Sequence, residues 1–415
     1  MSAKPKAPRG TRDVLPEEGR LRLRIIDVAR RAFEAHGYGA IVTPTFEDTE
    51  VFARGVGEAT DIVRKEMYTF QDASGRSLTL RPEGTAPVAR AFVSNGMHKR
   101  PLPAKLWYVA PMFRYEAPQS GRYREHHQVG AEALGSDDPL LDVEAISLLR
   151  HIYSELHVPD VRLRLGDMGD AESRGPYRRE LLAYLSRHEG DLPAEARERM
   201  AVNPLRLFDA KDEATREIMR GAPLLIDHLS DAAAAHRAEV LVGLDALGIE
   251  YEVDPTLVRG LDYYTNTVFE FTCDRLGAQS GIGGGGRYDG LVESLGGPPT
   301  PGVGFGSGIE RITLALEGVD PPGGGLDCYV AVLQRDLRPT LLARLAELRS
   351  GGLRCEMGWG DRSLKSMMRQ AAALGARTAV IVGPREAEQG IATVRDMDTG
   401  DQRSVSLNEL TKELT

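Results

Sequence analysis

The chain has 415 residues, 41% of them hydrophobic and 27% charged, and a formal net charge of −9 from 52 basic and 61 acidic side chains. At about 150 residues per domain this length makes roughly two to three domains, and no stretch approaches the ~18 consecutive apolar residues of a membrane span. An acidic total argues against a nonspecific DNA coat, so any nucleic-acid contact must come from local basic patches.

The start, MSAKPKAPRGTRDVLPEEG, has no apolar run of the signal-peptide kind. Cys273, Cys328 and Cys355 are widely spaced and form no CxxC. They fit a reducing cytoplasm, and neither a disulfide framework nor a cysteine zinc site.

The polar first ten residues read as a disordered tail. Leu21, Ile25, Val28 and Ala32 recur at helical spacing, and His36-Gly37 ends that helix. IVTPTFEDTEVF reads as an extended segment. Residues 77–80 read as a strand broken by Arg81-Pro82-Glu83-Gly84, after which Thr85 can cap a helix with Pro87 in its first turn. LWYVAPMFRYE and RYREHHQVGAEALG, separated by APQSG, predict an antiparallel hairpin. A helix over 139–157 and a short strand, VRLRLGD, follow. Residues 171–250 are rich in Ala, Glu, Arg and Leu and read as an α-helical insertion. VRGLDYYTNTVFEFTC returns to strand composition, GAQSGIGGGGRYDGL is glycine-dense, and GVGFGSGIERITLALEG reads strand–turn–helix. PPGGG at 321–325 is a linker. Beyond it, DCYVAVL, helices over 338–350 and 363–374, RCEM, TAVIVG and a hairpin through ATVRDMDTGDQRSV make a small α/β domain. Residues 326–415 carry 13 Lys and Arg against 12 Asp and Glu, so the acidic excess sits in the preceding part. Arg362, Lys365 and Arg369 fall on one face of the 363–374 helix as read from the sequence.

Chemistry concentrates in the first hairpin. Alternation places Arg114 with Glu116, and Gln128 with Gly130 and Glu132. Burying such a face is costly unless its groups are paired or meet a ligand; a solvent-facing hairpin carries the same pattern at no cost. Glu83 and Thr85 stand beside a helix N-terminus, Arg259 opens VRGLDYY at the head of another strand, and Arg311 lies in the first turn of a helix. Each alone reads as a cap, a core aromatic pair or a surface arginine. Together, arginines 114, 259 and 311 with carboxylates and paired tyrosines suit a polyphosphate plus a small zwitterion, because guanidinium forks match phosphate oxygens. There is no GxxxxGK[ST] loop, and the glycine runs lack the dinucleotide-fold context. His126-His127 is no metal pair, since adjacent strand residues face opposite ways.

FRYEAPQSGRYREHHQVGAE resembles motif 2 of class II aminoacyl-tRNA synthetases, and GVGFGSGIERI resembles their motif 3. RGLDYYTNTVFE and GGGGRYDGL are similar to two signatures particular to the histidyl-tRNA synthetase family, and KEMYTFQDASGRSLTLRPEGTAPVAR also matches it. The resemblance runs from about Pro8 to the C-terminus. It implies an α+β chain: a class II catalytic core on an antiparallel sheet over residues 1–320, with the helical insertion at about 171–250, and an α/β anticodon-binding domain over 326–415.

The implied activity is two-step, histidine plus ATP giving histidyl-adenylate, then transfer to the 3′ end of histidine tRNA, with Mg²⁺ accompanying ATP. Arg114 and Arg259 would be catalytic, holding the α-phosphate from two sides. Glu116, Arg122 and Arg311 would join Arg114 on ATP. Glu83, Gly84, Thr85 and Gln128 would hold the ammonium end of histidine, and Glu132 and Tyr264 the imidazole, with Tyr263 beside them and Arg114 and Arg259 close by. No metal site built from protein side chains is implied. Residues 38–70 resemble motif 1, which implies a homodimer; membrane and DNA are not implied partners. Strict alternation would send Tyr263 and Tyr264 opposite ways, so a bulge or loop must intervene if both line one pocket. Ala117, His127 and Gly306-Ser307 depart from the family pattern, none at an implied ligand position. The alternative is the non-catalytic, synthetase-like regulatory subunit of ATP phosphoribosyltransferase, which lacks the terminal domain.

Overall fold

The computed structural model describes residues 4–57, 60–117, 121–277, 279–318 and 325–414. Its contacts divide the chain into two units, residues 1–319 and 320–415.

The first unit begins with helix α1 (Pro16–Ala35), whose first turn holds Pro16, Glu17 and Glu18. Proline loses nothing there and carboxylates meet the positive helix end. Ile25, Val28, Ala29, Ala32 and Phe33 form its buried stripe. Strands β1 (Gly39–Ala40) and β2 (Phe46–Asp48) follow, then helix α2 (Thr49–Val56). The extended reading therefore holds only to Asp48. Phe52 and Val56, four residues apart and fully buried, draw the rest into a helical turn. Strands β3 (Tyr68–Gln71) and β4 (Ser77–Leu80) pair with β2 in a small antiparallel sheet, and helix α3 (Thr85–Ser94) leads away from it.

The hairpin is present as β5 (Ala104–Phe113) and β6 (Glu125–Leu134), paired in unbroken register from Ala104–Leu134 to Phe113–Glu125. Helix α4 (Pro139–Glu155) and strand β7 (Val161–Asp167) precede four helices: α5 (Ala171–Ser186), α6 (Ala194–Val202), α7 (Glu213–Met219) and α8 (Asp231–Ala246). Strands β8 (Glu252–Val253), β9 (Thr265–Cys273), β10 (Gly281–Arg287) and β11 (Gly302–Gly308) complete the unit, with helices α9 (Leu291–Ser294) and α10 (Ile309–Ala315).

Among the described residues, eight strands form one sheet in the order β1-β5-β6-β11-β10-β9-β7-β8. The six inner strands are mutually antiparallel, and the two short outer ones pair parallel. Residues of α1, α4, α8 and α10 share one buried cluster with the sheet. The helical segment is thus divided. Its earlier helices enclose a small core of their own through Tyr177, Leu181, Leu185, Leu207 and Met219, whereas Val240 and Leu244 of α8 join the main core.

The glycine run, glycine-dense in the sequence with no strand pattern, is a central strand. A Cβ at Gly285 would lie 1.9 Å from the Gly304 carbonyl, and one at Gly284 would lie 2.5 Å from that of Phe269. Side chains are excluded from this strand by how closely its neighbours approach.

The second unit comprises β12 (Cys328–Val332), α11 (Arg338–Ser350), β13 (Cys355–Met357), α12 (Leu364–Ala373), β14 (Thr378–Val382), α13 (Pro384–Gln389), β15 (Ile391–Asp396), β16 (Gln402–Ser406) and α14 (Leu410–Leu414). Its sheet runs β13-β12-β14-β15-β16, parallel on one side and antiparallel through the hairpin. Ser363 caps α12, so Arg362 stands before the helix and donates to Gln370 Oε1 at 2.8 Å, off the expected stripe; Lys365 and Arg369 remain exposed on it. Residues 321–324 of PPGGG lie outside the described residues.

Candidate active site

The site is built from the first turn of α3 outward. Glu83 is 3% exposed and its carboxylate accepts the Thr85 N–H at 2.6 Å and the Ala86 N–H at 2.9 Å. Glu83 therefore caps α3, and the expected Thr85 cap is not made. A carboxylate has the charge the helix N-terminus prefers, and it frees the threonine hydroxyl for another partner.

That partner is Glu132. Thr85 Oγ1 donates to Glu132 Oε1 at 2.8 Å, Tyr108 Oη donates to the same oxygen at 3.2 Å, and Tyr288 Oη donates to Oε2 at 2.5 Å. Glu132 is completely buried, and that burial pushes its carboxyl up to about 8. The cage is tight. A Cβ at Gly304 would fall 1.9 Å from Glu132 Oε2, and one at Gly84 or Gly130 would enter the Tyr108 ring at 2.3 or 2.4 Å.

Above this cage lies a cavity of about 130 Å³. Glu83, Gly84, Thr85, Gln128, Tyr263 and Tyr264 line it together with Arg114 and Arg259. Residues 259–264 precede β9 as a loop, which lets both tyrosines face inward with ring centroids 4.8 Å apart. Glu132 is one layer deeper, joined to the cavity through the Thr85 and Tyr108 hydroxyls.

The arginines are held by backbone and acid partners. Arg114 donates through Nε to the Pro82 carbonyl at 2.8 Å. Glu116 stands 3.8 Å from both Arg114 and Arg122. Arg259 Nη1 meets Glu270 Oε1 at 2.5 Å. Arg311 donates to the carbonyls of Gly281, at 3.0 Å, and Gln279. Burial, together with the charge of Arg122, lowers the Arg311 value below that of a free guanidinium. Burial and Arg114 push His126 down to about 4, so this ring is neutral at physiological pH. Of the residues singled out from the sequence, Glu116, Arg122 and Arg311 lie off the cavity wall, on the side where Arg114 links to Glu116.

Tyr108, Tyr288 and Glu270 were not singled out from the sequence. Tyr108 pairs across the hairpin with Gly130, and a glycine inside a strand marks where a neighbour's bulk leans over. Glu270 is a lone carboxylate in the apolar run VFEFTC, where a charge needs a partner.

Among solved structures, that of apo S. aureus histidyl-tRNA synthetase matches with TM-score 0.83 and 34% identity over 99% of this chain and 100% of that one. The fold and the site define a class II aminoacyl-tRNA synthetase. Residues 10–312 match the family model described as histidyl-tRNA synthetase, and residues 327–415 match that of the anticodon binding domain. Histidine–tRNA ligases of Rubrobacter xylanophilus and Rhodococcus erythropolis are 48% and 46% identical, each alignment covering 96% or more of both chains. The chain belongs to the histidyl-tRNA synthetase family.

Proposed function

We propose that this chain joins L-histidine to ATP, releasing pyrophosphate, and passes the histidyl group to a 3′-terminal hydroxyl of histidine tRNA, releasing AMP. The observation that carries this reading is the small cavity with acid and amide groups on its wall, two arginines beside them and a buried glutamate beneath. At about 130 Å³ it is small beside the ~300–1,000 Å³ of drug-sized sites. Glu83 and Gln128 offer oxygen acceptors to the amino acid's ammonium. Glu132 orients the Thr85 and Tyr108 hydroxyls that meet the side chain. Arg114 and Arg259 approach the α-phosphate, where their fixed charges stabilise the negative charge that builds as the histidine carboxylate attacks. Glu116, Arg122 and Arg311 hold the rest of ATP.

Mg²⁺ enters with the nucleotide. That ion usually binds through substrate phosphates and one or two carboxylates. On the protein's side, positive charge comes from Arg114, Arg122, Arg259 and Arg311. Residues 38–70 form the two-fold interface of a homodimer: Phe46 and Phe70, 49% and 43% exposed, pair at the surface with ring centroids 6.1 Å apart, Val42 is 95% exposed, and exposed large apolar side chains mark a contact region. Three free, buried cysteines suit the cytoplasm, and no helix among the described residues is long and apolar enough to cross a membrane.

A solved structure named ATP phosphoribosyltransferase regulatory subunit/histidyl-tRNA synthetase, from Bacillus halodurans, is 24% identical with TM-score 0.65, a likeness of fold. The retained arginines and the second unit favour the ligase. Charging of histidine tRNA transcript with labelled histidine tests the proposal, and formation of acid-precipitable histidyl-tRNA is the expected result. Failure to charge this tRNA while another tRNA is charged with another amino acid would overturn it.

A further inference from the structure

The 259–264 loop carries Arg259, Tyr263 and Tyr264, yet it has no secondary structure of its own. Glu270 holds Arg259 and the core packs against the tyrosines, but Asp262 and two of the loop's carbonyls are held from the helical insertion. Arg206, in the turn that follows α6, donates through Nη2 to Asp262 Oδ1 at 2.9 Å and to the Gly260 carbonyl at 3.0 Å. Asn203 donates through Nδ2 to the same Asp262 oxygen at 3.0 Å. Arg174, from α5, donates to the Tyr264 carbonyl at 3.2 Å. Asp262 receives two donors on one oxygen, and its own N–H bonds the Val56 carbonyl at 3.3 Å. The insertion's start is also tied to the loop's end, because Met168 and Asn266 exchange backbone bonds with neighbours across this seam: Met168 N–H to Asn266 O at 2.7 Å, and Asn266 N–H to Gly169 O at 3.0 Å. Between insertion and loop lies a cavity of about 250 Å³ whose wall, like that of the amino-acid cavity, includes Arg259 and Leu261. Tyr264 packs with Leu257 and Val268 and Tyr263 against Tyr288, while the side facing this cavity is tied to the insertion by the point contacts above.

We propose that Asn203, Arg206 and Arg174 are positioning residues for the first chemical step. The insertion fixes the 259–264 loop, through Asp262 and two loop carbonyls, in the conformation that brings Arg259 and both tyrosines to the cavity wall. The catalytic part of this inference rests on the roles given above to Arg259 and the tyrosines. Its structural part does not. Loosening the loop displaces the charge that acts on the α-phosphate and the aromatic wall of the histidine site. The contacts assigned to Arg114, Glu116, Arg122 and Arg311 on ATP stay in place. Small misplacements of such groups cost up to ~10²-fold in rate.

The test uses full-length Arg206→Ala, Asn203→Ala, Arg206→Lys, Asp262→Ala and the Arg206→Ala/Asp262→Ala double variant. Hydrogen exchange of peptides spanning 258–266, without substrates, reads the holding itself whatever the amino acid turns out to be. Faster exchange there, in Arg206→Ala and Asn203→Ala with the α4 and β6 peptides unchanged, is expected. In histidine-dependent pyrophosphate exchange, Arg206→Ala should lower kcat by about 10- to 10²-fold and raise KM for histidine while leaving KM for ATP within twofold. Arg206→Lys should recover part of the loss, because an ammonium reaches Asp262. The double variant should be no worse than its worse single, as expected for residues acting through one contact. Unchanged loop exchange in folded Arg206→Ala and Asn203→Ala would overturn the proposal, as would additive losses in the double variant or equal rises in both KM values. Absence of any histidine-dependent activity in the unaltered protein would instead overturn the functional reading, with the loop measurement still deciding this one.

Discussion

Tyr288 donates its phenolic hydrogen to Glu132 at 2.5 Å, joining the end of the glycine-rich strand to the layer beneath the cavity lined by Glu83, Thr85 and Arg259. Thr85 and Tyr108 complete the cage. Removing the carboxylate leaves three hydroxyls to find new partners, and a buried hydroxyl left unpaired costs ~1–3 kcal/mol. Glu132→Ala should therefore lower kcat/KM for histidine by at least ~10²-fold, about 2.7 kcal/mol, with a smaller change in KM for ATP. Steady-state pyrophosphate exchange with each substrate varied in turn checks this. A specificity constant for histidine within a few-fold of the unaltered protein's would assign the imidazole to other groups.

The same glutamate predicts a pH dependence of stability. Its carboxyl lies at about 8 in the folded chain against 4.5 ordinarily. Between those values the native state binds the extra proton, so this group's contribution falls as pH rises. Glu132→Gln carries no titrating group. Whatever its fixed cost, the stability of Glu132→Gln relative to the unaltered protein should improve between pH 5 and pH 8.5. Urea unfolding at both pH values measures this, and a difference that stays constant would show that Glu132 titrates at its ordinary value.

Arg259 is held by Glu270 at 2.5 Å and lines the cavity. Loss of a preorganised charge that acts mainly on the transition state costs ~10²–10³ in rate. Arg259→Ala should lose that much in single-turnover adenylation and much less in histidine binding. Adenylation within a few-fold of normal would remove it from the chemistry.

Elements that announce themselves through side-chain pattern were readable from the sequence: the apolar stripe of α1, the β5–β6 hairpin and the alternating elements of the second unit. Those defined by what surrounds them were not. β10 has almost no side chains, because Gly304 and Phe269 carbonyls occupy the space that Cβ atoms would need, so no period-two pattern exists to be seen. α8 lies in the same helix-rich stretch as the insertion helices before it, yet Val240 and Leu244 pack into the main core. Glu83 displaced Thr85 as the cap because Thr85 meets a glutamate 47 positions away, a contact that local capping rules do not contain. The two tyrosines needed a loop to face together, and the alternation argument identified that need without locating it.

The second unit closes its own core through strands β12 to β16 and matches the anticodon binding domain over 327–415. A chain ending near residue 322 should retain histidine-dependent pyrophosphate exchange and lose most tRNA charging. Such a loss of charging fits a unit whose 13 basic side chains nearly balance 12 acidic ones, so that tRNA phosphates meet less repulsion there. Equal charging by the shortened and full chains would show that this unit does not hold the tRNA productively.

The most direct measurement is pyrophosphate exchange by the full-length protein with ATP and Mg²⁺ across the twenty amino acids, each supplied alone. The account predicts exchange with histidine and background with the others, because hydroxyls oriented by a buried glutamate reward a side chain that can hydrogen-bond to them and penalise one that cannot, by ~10⁴–10⁵ in comparable polar sites. Exchange driven by a different amino acid, or none with histidine, would contradict it.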